Sequence, residues 1–187
     1  MPNSHAMEVE QKVRERLPSP QRRKQGPYAV FECFQSIPCN PCYTSCPTGA
    51  VLPFEDINDV PQIDYAKCTG CGICVSRCPG LACFVIDMTY AADKAVIKLP
   101  YEMLPLPEKG KTVKCLDRTG EAVADGEVIA VTEPSKDRTY VVSVVIPKEM
   151  ADQIRAIAVN APARLRPEEE REVRAVREQG AAQKEEC

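Results

Sequence analysis

One run of cysteines near the middle of the chain constrains its structure more than any other feature. The segment KCTGCGICVSRCP spaces its thiols as Cys68-x2-Cys71-x2-Cys74-x3-Cys78, and a proline follows the last one. Loops of two residues wrap the backbone tightly around a compact centre, so that consecutive thiols reach different points of it. The two glycines inside the run have no Cβ and let the backbone approach that centre closely.

The same pattern occurs 32 residues earlier in the chain, but it lacks one cysteine. A shift of that length places Cys39, Cys42 and Cys46 on the last three cysteines of the run, and a proline again follows the final one. Ser36 stands where the run begins, and a further cysteine, Cys33, lies three residues upstream of it. The two segments are copies of one unit, and the first copy has lost its leading cysteine.

The use of cysteine identifies these runs as metal ligands. The chain has 187 residues with eleven cysteines and one histidine. Its first residues are polar and lack the apolar core of a secretory signal peptide, so a disulfide framework is not expected. Zinc sites use separated CxxC pairs, whereas these runs overlap and end in C-x3-C-P. That ending is typical of bacterial iron–sulfur proteins, in which the fourth cysteine ligates the other cluster when two are present.

Residues 28 to about 90 resemble a bacterial-type ferredoxin with two [4Fe–4S] clusters. The resemblance rests on the complete second run and, in the first, on Cys39-x2-Cys42-x3-Cys46 followed by Pro-Thr-Gly-Ala. It implies that the ligands cross over between the two copies. One cluster would then be held by Cys46, Cys68, Cys71 and Cys74, and the other by Cys39, Cys42, Cys78 and a fourth ligand from upstream.

That fourth ligand is where the chain departs from the family pattern. Three alternatives are open: the thiolate of Cys33, the hydroxyl oxygen of Ser36, or no ligand, which would leave a three-iron cluster. Thiolate is a far better soft ligand for iron–sulfur clusters than a hydroxyl group. Cys33-x5-Cys39 requires only a three-residue expansion of the loop, and Pro38 and Pro41 stiffen it. We therefore predict that Cys33 is the ligand.

The other cysteines have simpler interpretations. Cys83 falls on Val51 in the repeat and is expected to be a small core residue, as is Cys115 in a later apolar run. Cys187 is expected to be an exposed terminal thiol. Tyr43 and Phe84 are expected to pack in the core near the clusters.

The chain as a whole predicts an α+β fold, with a ferredoxin-like two-cluster module followed by a small antiparallel β sheet or barrel and C-terminal helices. We divide it into a polar arm at 1–27, mobile or wrapped around a partner, and a two-[4Fe–4S] ferredoxin domain at 28–92. A small β-rich docking domain with a terminal helix follows at 93–160, and a charged helical or disordered tail at 161–187.

Individual elements follow from composition and periodicity. The predicted strands are YAVFECF, CFVIDMTY, KTVKCL, EVIAVT and RTYVVSVVIP. LPYEMLPLPEKG (99–110) contains three prolines and a glycine and is predicted to be a linker or surface loop. KEMADQIRAIAV (148–159) places Met150, Ile154 and Ile157 at helical spacing and is predicted to be a helix.

The function predicted from these features is electron transfer. The single histidine, His5, lies in the polar arm and gives no indication of a Ser–His–Asp set, and neither GxGxxG nor GxxxxGK[ST] is present. About 27 residues before the ferredoxin-like part and nearly 100 after it carry no cofactor motif, which favours a docking role. We predict the small subunit of a multi-subunit oxidoreductase that passes single electrons, with a larger flavoprotein subunit as partner in a hetero-oligomer. By general resemblance, that complex is an amine or amino-acid dehydrogenase.

Two alternatives stay open at this point: a soluble ferredoxin that serves several partners, and a structural iron–sulfur protein. The net charge of −3 gives no indication of nucleic acid as a partner, and no apolar run reaches the length of a membrane span. A cytoplasmic location is expected.

Overall fold

Seven antiparallel strands form one sheet within the part of the chain that the structure describes. The structure is a computed structural model, and it describes residues 4–134 and 139–159. The strands lie side by side in the order β1-β2-β3-β6-β5-β4-β7. They are β1 (Tyr28–Phe31), β2 (Cys83–Asp87), β3 (Lys94–Tyr101), β4 (Thr112–Leu116), β5 (Ala122–Thr132), β6 (Tyr140–Pro147) and β7 (Ala156–Ala158).

This sheet includes the strands on either side of the cysteine runs. β1 pairs with β2 in a register that places Phe31 opposite Cys83, so the two ends of the cysteine-rich segment meet. β2 then pairs with β3, which in turn pairs with β6 along its whole length. The strands predicted from YAVFECF and CFVIDMTY are confirmed, and the antiparallel sheet continues across residue 92. The division of the chain into domains stays a prediction.

β3 is a strand that we did not predict, and it contains a proline. We expected 99–110 to be a loop, but β3 extends through Leu99 and Pro100 to Tyr101. Pro100 lies opposite Val141 of β6, whereas the pairing of β3 with β2 covers only residues 96–98. Among the described strands, none pairs with the β2 side of β3 at Pro100, where the missing N–H group is tolerated.

The helix predicted over 148–159 is wrong. A single 3₁₀ turn, Lys148–Met150, is followed by a turn and then by β7, which pairs with β4. Ile154 and Ile157 are nevertheless buried in the core, as their apolar character requires. Apolar residues three or four positions apart also occur where a 3₁₀ turn leads into a buried strand. Their spacing alone therefore does not distinguish that arrangement from a helix. The tail at 161–187, with Cys187, lies outside the described residues.

The N-terminal arm contains two helices, contrary to the expectation of a mobile arm. α1 (Ser4–Arg16) buries Val13, which is only 1% exposed, in the main core. α2 (Pro20–Arg23) begins after Ser19, whose side-chain oxygen accepts a hydrogen bond from the backbone N–H of Arg22. The arm is therefore packed against the chain's own sheet.

Among the described residues, no helix combines the length and the apolar character that a bilayer span requires.

Gly126 in β5 tests how tightly the core is packed. A Cβ added there would lie 2.6 Å from both Cys115 Sγ and Val144 Cγ1. Gly126→Ala is expected to lower the free energy of unfolding by about 1–3 kcal/mol, because the core has no room for the methyl group. Urea unfolding measures this change. Gly80→Ala is the matched control, since nothing lies within 4 Å of its Cβ position, and an equal loss in both variants would contradict the prediction.

Candidate metal centre

The two cysteine units share a local backbone structure, as their sequence repeat suggests. α3 (Pro41–Thr44) and α4 (Ile73–Arg77) begin 32 residues apart and contact each other. Positive φ angles occur at Gly49 (62°) and at Leu81 (51°), which are separated by the same interval. A positive φ is uncommon for leucine, so the second copy retains the turn even without glycine. The two copies therefore share the short helix and the turn after the last cysteine, but they differ before the helix, where φ is −141° at Asn40 and 94° at Gly72.

Four of the predicted ligands line one pocket. They are Cys46, Cys68, Cys71 and Cys74. Cys74 is buried, whereas Cys71 is exposed, so the pocket reaches the surface on the side of Cys71. The remaining lining is largely apolar and includes Ala29, Phe31, Val51, Ile63 and Val85. Such walls exclude water from a bound group and lower the local dielectric constant.

Backbone N–H groups point at the sulfurs of both units. The N–H of Ala29 donates to Cys68 Sγ at 3.4 Å, and the N–H of Ala82 donates to Cys78 Sγ at 3.4 Å. Ala50, the counterpart of Ala82 in the first copy, directs its N–H to Cys46. N–H···S bonds of this kind stabilise thiolates and tune the metal centre that they bind.

The other four predicted ligands also lie near one another. Burial raises the pKa of Cys33, and the charges of Cys78 and Cys39 raise it further. Burial likewise raises the pKa of Cys42 to about 11, and the charges of Cys78, Cys39 and Cys33 contribute to that rise. These mutual effects require the four sulfurs to be within electrostatic range of one another. Ser36 is exposed to solvent.

Cys78 is held in the form that binds metal. A hydrogen bond from the thiol of Cys83 and the N–H groups of Ala82 and Gly80 outweigh its burial and lower its pKa to about 6. Thiolate is the ligand form of cysteine. Cys83 is buried in the core, as predicted. It also forms a side-chain hydrogen bond with the predicted ligand Cys78, which the sequence repeat did not reveal.

The predicted ligands are all thiols, which is the donor type that iron–sulfur clusters use. Burial raises the pKa of Cys74 well above its ordinary value, and the charges of Cys71 and Cys68 raise it further. A thiol in this environment ionises when a cation binds to it. Among the described residues, no three His, Cys, Asp or Glu side chains converge on a single metal ion. In a cubane each cysteine ligates a different iron, so the sulfurs stand further apart than the ligands of one ion.

Two cations that we did not single out from the sequence lie against the loop of residues 68–71. Arg22 donates to the carbonyl oxygen of Cys68 at 2.6 Å, and Lys98 donates to that of Gly70 at 2.9 Å. The basic composition of the arm around Arg22 was visible in the sequence. Nothing local indicates Lys98, because 28 residues separate it from Gly70.

The other aromatic and thiol predictions concern the core around these sites. Tyr43 is stacked on Phe54, with ring centroids 5.8 Å apart, and packs beside Cys42. Phe84 is buried in the main core. Cys115 is fully buried in β4, as predicted.

The fold and the paired cysteine units define the class of the protein as a ferredoxin-type iron–sulfur protein. A family model described as a 4Fe-4S dicluster domain matches residues 32–82, which include every predicted ligand. No solved structure matches the chain significantly.

Curated relatives resemble the chain in the same region. Over 62 residues it is 46% identical to pyruvate synthase subunit PorD of Methanocaldococcus jannaschii, covering 31% of this chain and 70% of that protein. It is 41% identical over 54 residues to the thiosulfate reductase electron transfer subunit PhsB of Salmonella typhi, covering 29% of this chain and 27% of the relative. It is 32% identical over 93 residues to a tetrathionate reductase subunit of Salmonella typhimurium, covering 46% of this chain and 36% of that relative.

The chain therefore belongs to the 4Fe-4S dicluster ferredoxin family. It covers most of the small PorD subunit but only about a quarter to a third of the two reductase subunits.

Proposed function

We propose that this chain is an electron-transfer subunit that carries two [4Fe–4S] clusters in a multi-subunit oxidoreductase. One cluster is held by Cys46, Cys68, Cys71 and Cys74, and the other by Cys33, Cys39, Cys42 and Cys78. The observation that carries the proposal is the pocket with four cysteines in its lining, in a chain of the dicluster family. The proximity of Cys33 to Cys39, Cys42 and Cys78 supports it as the displaced fourth ligand.

The residues around each site have roles that follow from their contacts. When bound, a [4Fe–4S] cluster accepts and releases single electrons. Phe31, Val51 and Val85 exclude water from the pocket, and the N–H groups of Ala29 and Ala82 stabilise the sulfur charge. The exposed position of Cys71 brings one site close to the surface, where a partner exchanges electrons with it. Cys42 contributes to the charge around Cys74, so the two sites are near neighbours.

The partner is the larger subunit of the complex. The relatives described above are subunits of pyruvate synthase and of thiosulfate and tetrathionate reductases, which supports a role in an assembly over a role as a free carrier. A flavoprotein amine or amino-acid dehydrogenase is the specific partner that we propose. None of the ten cysteines among the described residues is in a disulfide, which supports a location in a reducing compartment such as the cytoplasm.

Anaerobic native mass spectrometry of the protein from its own cells tests the proposal. We expect eight irons and eight sulfides on this chain, together with a retained larger subunit whose flavin is identified from its mass. The same count on a lone chain would favour a free carrier. Four irons would contradict the role of Cys33, and zinc would contradict the proposal as a whole. If a redox titration shows that the clusters cannot be reduced at any accessible potential, a structural role is favoured.

A further inference from the structure

The guanidinium group of Arg22 lies against the loop that begins at Cys68. Its Nη2 donates to the carbonyl oxygens of Cys68 at 2.6 Å and of Pro27 at 3.0 Å. Its Nε donates to the carbonyl oxygen of Tyr65 at 2.8 Å, and its Nη1 donates to that of Gly26 at 3.1 Å. The planar, rigid fork of arginine suits such a set of acceptors. One half-buried cation therefore connects the N-terminal arm to a cysteine loop.

Lys98 reaches the same loop from the sheet. Its Nζ donates to the carbonyl oxygens of Gly70 at 2.9 Å and of Cys71 at 3.3 Å. Three carbonyls in the four residues from Cys68 to Cys71 thus point at positive charges. The residues of this loop line the pocket that the four thiols share, so both positive charges lie beside the wall of that pocket.

The arm and the loop are also in direct contact. A Cβ on Gly70 would lie 2.5 Å from the Cβ of Pro27 and 2.7 Å from its carbonyl carbon. Gly70 has a φ of 63°, which glycine adopts without strain. Only glycine permits this approach, so the position of Arg22 relative to the loop is closely fixed.

On the basis of the function proposed above, we propose that Arg22 and Lys98 are positioning residues for the cluster on Cys46, Cys68, Cys71 and Cys74. They hold the loop in its ligating conformation, and their charges raise the reduction potential of that cluster. Reduction adds one negative charge, and nearby cations favour the more negative state. Both residues lie outside the family match at 32–82. The parts of the chain beyond that match therefore adjust the reduction potential of this cluster.

The test is a redox titration of the anaerobically reconstituted full chain, followed by electron paramagnetic resonance. Arg22→Gln and Lys98→Met are each expected to lower the same one of the two potentials. The reduction constant should fall about tenfold, which is ~59 mV for a one-electron step. Arg14→Gln is the matched control, because Arg14 lies on the same arm but is exposed and pairs with Glu10. It should leave both potentials unchanged.

Iron content separates the two parts of the proposal. If Arg22→Gln loses one cluster while Arg14→Gln keeps both, the positioning role is supported. The reduction potential of Lys98→Met then tests the effect of charge. Arg22→Lys keeps the charge without the fork and should retain more iron than Arg22→Gln. Full iron with unchanged potentials in both Arg22→Gln and Lys98→Met would overturn the proposal. A wild-type chain without reducible clusters would overturn the proposed function itself, and no variant is needed to see it.

Discussion

Cys33→Ser is expected to convert one of the two clusters to a three-iron form or to abolish it, leaving the other intact. The iron content should fall from eight per chain to between four and seven, because a serine hydroxyl is a poor replacement for thiolate. The sulfur of Cys33 lies within electrostatic range of Cys39, Cys42 and Cys78, so this half-buried thiol has three predicted ligands as neighbours. Iron and sulfide analysis measures the loss, and electron paramagnetic resonance of the oxidised protein detects a three-iron product.

The control for this variant is Ser36→Ala, which removes the rival ligand at the position where the repeat expects cysteine. Ser36 is exposed, so its replacement is expected to preserve both clusters and the stability of the fold. The reverse result, with iron lost in Ser36→Ala and kept in Cys33→Ser, would assign the fourth ligand to the serine oxygen. Full iron content in both variants would mean that neither side chain is a ligand.

The features that the sequence predicted well are those that depend on local spacing. The 32-residue repeat of cysteines corresponds to two short helices, α3 and α4, and to matching turns at Gly49 and Leu81. Short spacings fix the backbone path between thiols with little contribution from the rest of the chain. The apolar runs that became β1, β2, β4, β5 and β6 were recognised for the same reason, since the alternation of side chains is local.

The features that were missed depend on contacts between distant parts of the chain. β7 forms because it pairs with β4, and the sequence from 148 onwards has the spacing of a helix when read alone. Arg22 and Cys68 are 46 residues apart, and Arg155 and Glu32 are 123 residues apart. No local pattern encodes such pairs, because arginine and glutamate side chains are ordinarily found at protein surfaces. The same holds for the arm, whose α1 packs Val13 and Val9 against a core that is formed by distant strands.

Buried charged side chains connect the two edges of the sheet. Removing one of them gives the second large effect that we expect, a loss of folding stability. Glu32 follows β1, and Arg155 precedes β7 at the opposite edge. The Glu32 carboxylate accepts two hydrogen bonds from Arg118, at 2.6 and 2.9 Å, and one from Arg155 Nε. Burial opposes the ionisation of Glu32, but Arg118 and Arg155 outweigh it and lower its pKa. Arg155 is 5% exposed, and its Nη2 finds no hydrogen-bond partner among the described residues.

Glu32→Gln is therefore expected to lower the free energy of unfolding by about 3–5 kcal/mol, because it leaves the buried charge of Arg155 without its counterion. Urea unfolding of the anaerobically reconstituted protein measures the change. Arg155→Met should cost less than Glu32→Gln, since Glu32 keeps its paired contact with Arg118 and an unsatisfied donor is removed. The matched control is Asp125→Asn, which breaks the exposed pair with Lys114 and should cost no more than about 1 kcal/mol. If Glu32→Gln cost as little as this control, the charges between β1 and β7 would contribute nothing to stability, and packing alone would hold the sheet edges together.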